Sequence, residues 1–392
     1  MSDSCNAINL STFAFSLFST LAACASETNI LISPFSIASA LSLVLAGATR
    51  GSLCEKELSN ILNVDSHEDF PILSQTLLHS KSTGSSVSLT SANGIWSKSL
   101  KESYISTIHR VHDAEAHDLP KSFDHINHYI ARKTNGLVKN MLSGDVDPLT
   151  VAVLVNAVHF KGDWTVQFDK NDTYSGEFMT SSGEKRDAMF MFAKRKMQFA
   201  TNVSLLNGAS IIQLDYGKTE ENDGQSGSEY AALFILPEQR GREGLNGVIN
   251  QLANLTVDNS SSSFDAMLEQ MSSHQIAELS LPRFKMEYGT RSLTKELRAL
   301  GLGGCFDGTN VLNEMSDDPL VHVDEVLHKA IIEVTEEGTE AAAATVGVIM
   351  TRSLPKPVPE VRLDRPFIMI ILHLPTKTPL FVAKVDDPEL NF

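Results

Sequence analysis

The chain is short of positive charge: 392 residues carry 32 Lys and Arg against 48 Asp and Glu, a formal charge of −16, so its field repels phosphate backbones and anionic lipid. Nucleic acid and membrane surfaces are therefore not expected partners. No Lys or Arg precedes Arg50, so the apolar stretch from Leu10 to Ala25 lacks the basic leader of a cleavable signal, although Ala23-Cys24-Ala25 imitates a cleavage site. Ser11, Thr12, Ser16, Ser19 and Thr20 break the same stretch and make it a poor membrane span. Its Ala14, Leu17, Phe18 and Leu21 fall instead on one face of an amphipathic helix. Cysteine is scarce too. Cys5, Cys24, Cys54 and Cys305 contain no CxxC pair and are too scattered for a disulfide scaffold, which predicts free thiols.

Catalytic signatures are also missing. There is no G-x-S-x-G elbow, no P-loop, no G-x-G-x-x-G after a strand and no H-E-x-x-H, so no enzyme is expected. His109, His112, His117, His125 and His128 match no metal-site spacing and read as helical surface residues. Neither a cofactor nor a metal is expected. No repeat and no Pro-rich or charged linker divides the chain, so residues 1–392 read as one domain.

What is there is ordinary folded sequence, 42% apolar and 20% charged, enough for a large core. Helical patterns run over 10–25, 34–46, 68–80, 102–113 and 123–142. Strand patterns run over 86–97, 151–160, 209–215, 230–236, 276–284 and 366–374, the last so continuously apolar that both faces should be buried. Helices and strands mixed without βαβ regularity predict an α+β fold. The polar stretches 219–228 and 258–263 read as surface loops. Lys185, Arg186, Lys194, Arg195 and Lys196 form the only basic cluster, interrupted by Glu184 and Asp187, and read as a solvated hairpin rather than a polyanion site. Sequons at Asn9, Asn171, Asn202, Asn254 and Asn259 permit a secretory history without requiring one.

The unusual stretch is 333–359. Glu333, Glu336, Glu337 and Glu340 stand at helical spacings before four alanines, which by propensity predicts an amphipathic helix. Gly338 and the β-branched run Thr345-Val346-Gly347-Val348-Ile349 disagree with it. Beyond them, Arg352 and the prolines 355, 357 and 359 read as extended and exposed chain, a substrate for a protease.

At this point the chain resembles the serpin family, nearly end to end. Ser33-Pro34-Phe35-Ser36-Ile37 followed by Gly47-Ala48 is similar to its second-helix motif, and Asn156 to Trp164 (NAVHFKGDW) to its central strand. His328-Lys329-Ala330, leading to Glu336-Glu337-Gly338-Thr339-Glu340-Ala341-Ala342-Ala343-Ala344-Thr345, resembles the reactive-loop hinge. Arg365-Pro366-Phe367 and Pro379 to Val385 resemble the C-terminal strands, whereas 309–316 departs from the pattern.

The resemblance implies a serpin fold of three β-sheets and about nine helices, with an exposed reactive-centre loop over about 338–360. It further implies a suicide-substrate inhibitor. The fourteenth residue after Gly338 is Arg352, so the reactive bond falls at Arg352-Ser353 and suits trypsin-like serine proteases. The acyl-enzyme would be trapped by insertion of 339–352 into the central sheet, a travel of ~46 Å at ~3.3 Å per residue. Thr339, Ala341, Ala343, Thr345, Gly347 and Ile349 would share the face that goes under, and none of them is charged. Trp164, Glu336 and Arg283 stand where the family has its breach, and Ser33, Ser36, Asn156 and His328 where it has its shutter. The alternative is a non-inhibitory serpin acting as carrier, chaperone or storage protein. The stretch 69–81, similar to the family's heparin-binding helix, has one lysine and no arginine, so weak or no heparin binding is expected. A monomer is expected, resembling leaderless ovalbumin-type members, with export by a non-classical or uncleaved-signal route slightly favoured over a cytoplasmic life.

Overall fold

The computed structural model describes residues 10–24, 29–71, 73, 87–217, 228–255, 263–271, 274–339 and 358–388. Its helices are α1 (Ser11–Cys24), α2 (Pro34–Gly47), α3 (Leu53–Leu62), α4 (Glu102–His112), α5 (Asp124–Lys133), α6 (Gly241–Asn254), α7 (Ser263–Glu269) and α8 (Thr294–Ala299). The expected loops at 219–228 and 258–263, apart from Ser228 and Ser263, and most of the helical pattern at 68–80 lie outside the described residues. Among those described, no helix is long and apolar enough to cross a membrane.

The smaller sheet has the order β10 (Phe284–Ser292), β11 (Glu325–Val334), β4 (Ala152–Asp163), β2 (Val87–Ser97), β3 (Glu115–Asp118). Its two central strands are parallel: β11 lies along β4 from Glu325 opposite Val153 to Ile331 opposite His159. Past that point a two-residue strand, β12 (Gly338–Thr339), runs antiparallel to the end of β4.

The larger sheet joins β1 (Ile30–Ile32), β15 (Thr378–Val385), β14 (Phe367–His373), β8 (Tyr230–Leu236), β7 (Ala209–Tyr216), β6 (Lys185–Val203), β9 (His274–Pro282) and β13 (Glu360–Arg362), with β5 (Tyr174–Met179) also on β6. Three sheets are expected and hydrogen bonding joins them into two, because β6 is 19 residues long and pairs with β5 and β9 along one part and with β7 along another. All residues of β14 and β8 are buried, as two-sided burial of a continuous apolar run demands.

α2 holds the layers together. Ser33 caps it, its side chain accepting from the Ser36 N–H, and Pro34 starts its first turn. It is buried on nearly every side and packs against α3, β15, β4 and β2 at once.

Several sequence expectations are corrected. The helix expected over 123–142 stops at Lys133, because Asn135 and Gly136 take positive φ (51° and 78°) and turn the chain. The single strand expected over 276–284 is two: β9 ends at Pro282, which has no N–H for a ladder, and β10 continues in the other sheet. The helix suggested by the glutamates from Glu333 is overridden at its start, since Glu333 and Val334 extend β11 and pair with Lys285 and Phe284 of β10.

The cysteines depart from expectation as well. Cys54 and Cys305 form a disulfide, with Cα atoms 4.6 Å apart across a sequence separation of 251, and only Cys24 is free among the described residues. No spacing rule reveals such a pair. It arises because the start of α3 packs against the turn after α8, where Gly304 donates to Glu57 Oε2 at 2.7 Å and a side chain on Gly304 would collide with the Cys54 nitrogen at 2.9 Å. Alkylation of unreduced protein in denaturant, read by peptide mass mapping, should leave Cys54 and Cys305 unlabelled; labelling of both before reduction would refute the bond.

Candidate functional site

Two clusters lie along the seam between β4 and β11. In the lower one, Asn93 on β2, Asn156 on β4 and His328 on β11 stand side by side, the sheet register pairing Asn93 with Asn156 and Asn156 with His328. Facing them is the first turn of α2. The Asn156 amide nitrogen donates to the Ser36 carbonyl at 2.8 Å, to Ser36 Oγ and to Asn93 Oδ1, while its Oδ1 lies 2.6 Å from His328 Nδ1.

The Ser33 N–H donates to His328 Nε2 at 3.2 Å, so that nitrogen is the acceptor and Nδ1 carries the proton given to Asn156. Ser33 Oγ donates to the Leu380 carbonyl of β15 at 2.6 Å and so reaches the second sheet. Ser33, Ser36, Asn156 and His328 are fully buried, and burial pushes the His328 pKa down to about 3. Four polar side chains in a dry place are tolerable only because each finds partners.

The upper cluster surrounds β12. The Trp164 indole N–H donates to the Thr335 carbonyl at 2.9 Å, its backbone N–H to the Glu337 carbonyl at 2.9 Å, and its ring stacks on Tyr216 at 4.4 Å. Glu336 is 3% exposed; its carboxylate accepts from Thr173 Oγ1 at 2.8 Å and lies 3.5 Å from Arg283 Nε. The adjacent Glu337 pairs with Lys170, which raises the lysine pKa through that contact.

Gly338 has φ 149°, and a Cβ there would sit 2.2 Å from the Gly162 carbonyl oxygen and 2.6 Å from Asp163 Cα, so only glycine fits. Thr339 is 0% exposed and its hydroxyl shares a 2.9 Å hydrogen bond with that of Tyr216. Gly162 is needed opposite it, because a side chain there would strike Tyr216 Cδ1 at 2.9 Å.

The structure thus brings together all of Trp164, Glu336, Arg283, Gly338 and Thr339, and all of Ser33, Ser36, Asn156 and His328. Glu340, Ala341, Ala342, Ala343, Ala344, Thr345, Arg352 and Ser353 lie outside the described residues. Sequence reasoning missed Tyr216, Thr335, Thr173, Lys170 and Asn93. Tyr216 was lost by one residue, the strand there being expected to end at 215. The others lie outside the quoted motifs, and only the folded register puts them in place.

The smaller sheet thus has two parallel strands, β4 and β11, held by a compact polar cluster, with the segment after β11 already paired to the end of β4. The family model for serpin (serine protease inhibitor) matches residues 9–388. Leukocyte elastase inhibitor A of Mus musculus is 32% identical over 96% of this chain and 97% of its own length, and Serpin B6 of Macaca fascicularis 31% identical over 96% and 98%. The solved structure of Arabidopsis AtSerpin1 in its native stressed conformation superposes with a TM-score of 0.80, 26% identity and 99% of both chains covered. The chain belongs to the serpin (serine protease inhibitor) family.

The buried histidine makes stability pH-dependent. His328 has a folded pKa of about 3 against an unfolded value near 6.5, so between these the unfolded chain takes up a proton that the folded chain refuses. His112 and His373, both lowered to about 4 by burial, act in the same sense. Stability is thus level on this account above pH ~6.5 and falls as pH drops towards ~3, by about 1.4 kcal/mol per unit for each histidine. Guanidinium unfolding at pH 7.5 and 5 should give a lower midpoint at pH 5, and His328→Gln should flatten the slope by about one proton. A midpoint that rises on acidification would contradict the neutral buried ring.

Proposed function

We infer that the chain is a suicide-substrate inhibitor of trypsin-like serine proteases, cleaved at Arg352-Ser353 and trapping the acyl-enzyme by inserting 339–352 between β4 and β11. The observation that carries this reading is the seating of Gly338 and Thr339. They are already antiparallel to β4, with Thr339 turned into the buried side against Tyr216. Carried on in that register, Ile349 would face Ala152, the first residue of β4, so the loop is long enough to fill the whole strand. Alternation puts Ala341, Ala343, Thr345, Gly347 and Ile349 on the Thr339 side and keeps Glu340 on the other.

Energetics favour the same direction. Insertion must break the seven pairs of the β4–β11 ladder, from Glu325 to Ile331, and replaces them with two antiparallel ladders. A strand's worth of hydrogen bonds at ~1 kcal/mol each, plus buried methyl groups, makes a gain on the order of 10 kcal/mol. The chemistry begins with the protease serine attacking the Arg352 carbonyl; the freed amine leaves with Ser353, and movement of the new strand carries the acyl-enzyme away before water reaches it. A mouse relative's name speaks of elastase, but Arg352 calls for an acidic primary pocket. Nothing in the relatives' names supports the extracellular expectation.

Incubation with trypsin should give a denaturation-resistant adduct, and N-terminal sequencing of the released fragment should begin at Ser353. A start at Thr351 or Leu354 would overturn the reactive-bond assignment. Thr339→Arg should turn the inhibitor into a substrate, cut at the same bond without stable adduct, because a guanidinium beside Tyr216 would lose several kcal/mol of solvation. Retention of full adduct yield would mean Thr339 takes no part in insertion. Nicking at Arg352 should raise the thermal midpoint by about 12 °C, which is what ~10 kcal/mol implies at ~2.1 cal/mol/K per residue for 392 residues. Equal midpoints for intact and nicked protein would move the reading to a non-inhibitory serpin.

A further inference from the structure

The basic cluster on β6 is not absorbed by the mechanism. Most of it is neutralised: Lys185 pairs with Glu177 at 2.9 Å, Arg186 with Asp387 at 2.8 Å and with Glu184, and Lys194 with Glu278 at 2.7 Å. Arg195 points the other way, donating to the Val166 and Gln167 carbonyls with its guanidinium 5.0 Å from the Phe168 ring.

Lys196 is different. It is exposed, has no partner among the described residues, and faces Ile276 of β9, which is 50% exposed. Neither an unpaired lysine nor a single exposed isoleucine is unusual by itself; what singles out this pair is where it lies.

Its place in the fold gives the pair a use. The chain after the reactive bond returns to this sheet, where the Glu278 N–H donates to the Pro359 carbonyl at 2.9 Å and Glu360 pairs with Glu278. Seven residues separate Arg352 from Pro359, a contour of at most ~25 Å. A protease domain of ~220 residues is roughly 40 Å across. Gripping Arg352, it cannot avoid the strands to which the loop is tied. Residues Lys196 and Ile276 share the exposed face of β6 and β9 with the Lys194–Glu278 pair, one row from Pro359 and Glu360.

We propose that Lys196 and Ile276 form a secondary docking surface for the protease held at Arg352, taking a carboxylate and an apolar side chain from the protease surface beside its cleft. The proposal rests on the inhibitory reading for its partner but not for its test. Trypsin with its catalytic serine replaced by alanine binds without cleaving, so docking is measured whether or not the loop can insert.

Surface plasmon resonance with this inactive trypsin should give a Kd at least about tenfold weaker for Lys196→Glu and for Ile276→Ser than for the unaltered chain, with Lys185→Ala unchanged. Binding of the unaltered chain should weaken with added salt, and that dependence should shrink in Lys196→Glu. Equal Kd values for all four proteins, or no binding of inactive trypsin at all, would overturn the proposal. So would a concentration-dependent dimer, seen by sedimentation, that these substitutions abolish, since the surface would then belong to a second copy. Absence of adduct with active trypsin, by contrast, would count against the inhibitory reading and leave the docking result standing.

Discussion

Asn156 and His328 face each other across two parallel strands, and that buried pair is the contact on which the middle of the smaller sheet depends. A parallel ladder is slightly weaker per residue than an antiparallel one, and here seven residue pairs keep β4 against β11. The side chains beneath supply the rest. Asn156 spends its amide on Ser36 and Asn93 and its carbonyl on His328, and His328 spends its free nitrogen on Ser33. Parting the strands separates Asn156 from His328, so groups that stand in no water must find new partners at once. Such a cluster can resist opening and still permit it, provided that whatever enters restores the hydrogen bonds.

On the proposed insertion, that exchange would begin at the upper end of the seam. Glycines at 338 and 162 let two backbones approach where any side chain would collide, and Thr339 fills the remaining hollow with a hydroxyl that Tyr216 accepts or receives. Around this, Trp164 holds the carbonyls of Thr335 and Glu337 while Glu336 is buried between Thr173 and Arg283. The connection from β11 is thereby fixed at every residue up to the point where the loop departs. Strand addition in this setting resembles propagation more than nucleation, because the first antiparallel pairs already exist.

The covalent tie at the other end of the sheet complements this. Cys305 accepts the Val323 N–H at 3.0 Å, two residues before β11 begins, and is bonded to Cys54 at the start of α3. The foot of β11 is therefore anchored to the helical layer that includes α2, while its top runs into the hinge. A strand fixed at its foot can be flanked by a new neighbour only if β4 and its companions yield, and α2, which touches β4 and β2, lies where that movement must be accommodated.

The sequence by itself determined the elements whose residues leave no alternative. The all-apolar runs became β8 and β14, Ser33-Pro34 started α2, and the cluster members Ser33, Ser36, Asn156, Trp164, His328 and Glu336 were legible because they lie inside contiguous motifs with a fixed order.

Tertiary structure decided what depends on partners distant along the chain. The glutamate run from Glu333 favours helix locally, yet at its start pairing with β10 outweighs a propensity of a few tenths of a kcal/mol per residue. The Cys54–Cys305 bond joins positions that no spacing rule connects, since only the packing of α3 on the turn after α8 brings them to 4.6 Å. Tyr216 was hidden for the same reason: an unremarkable strand end in sequence, it becomes the floor under Thr339 only once β7 lies beside the end of β4, where Trp164 bridges to it.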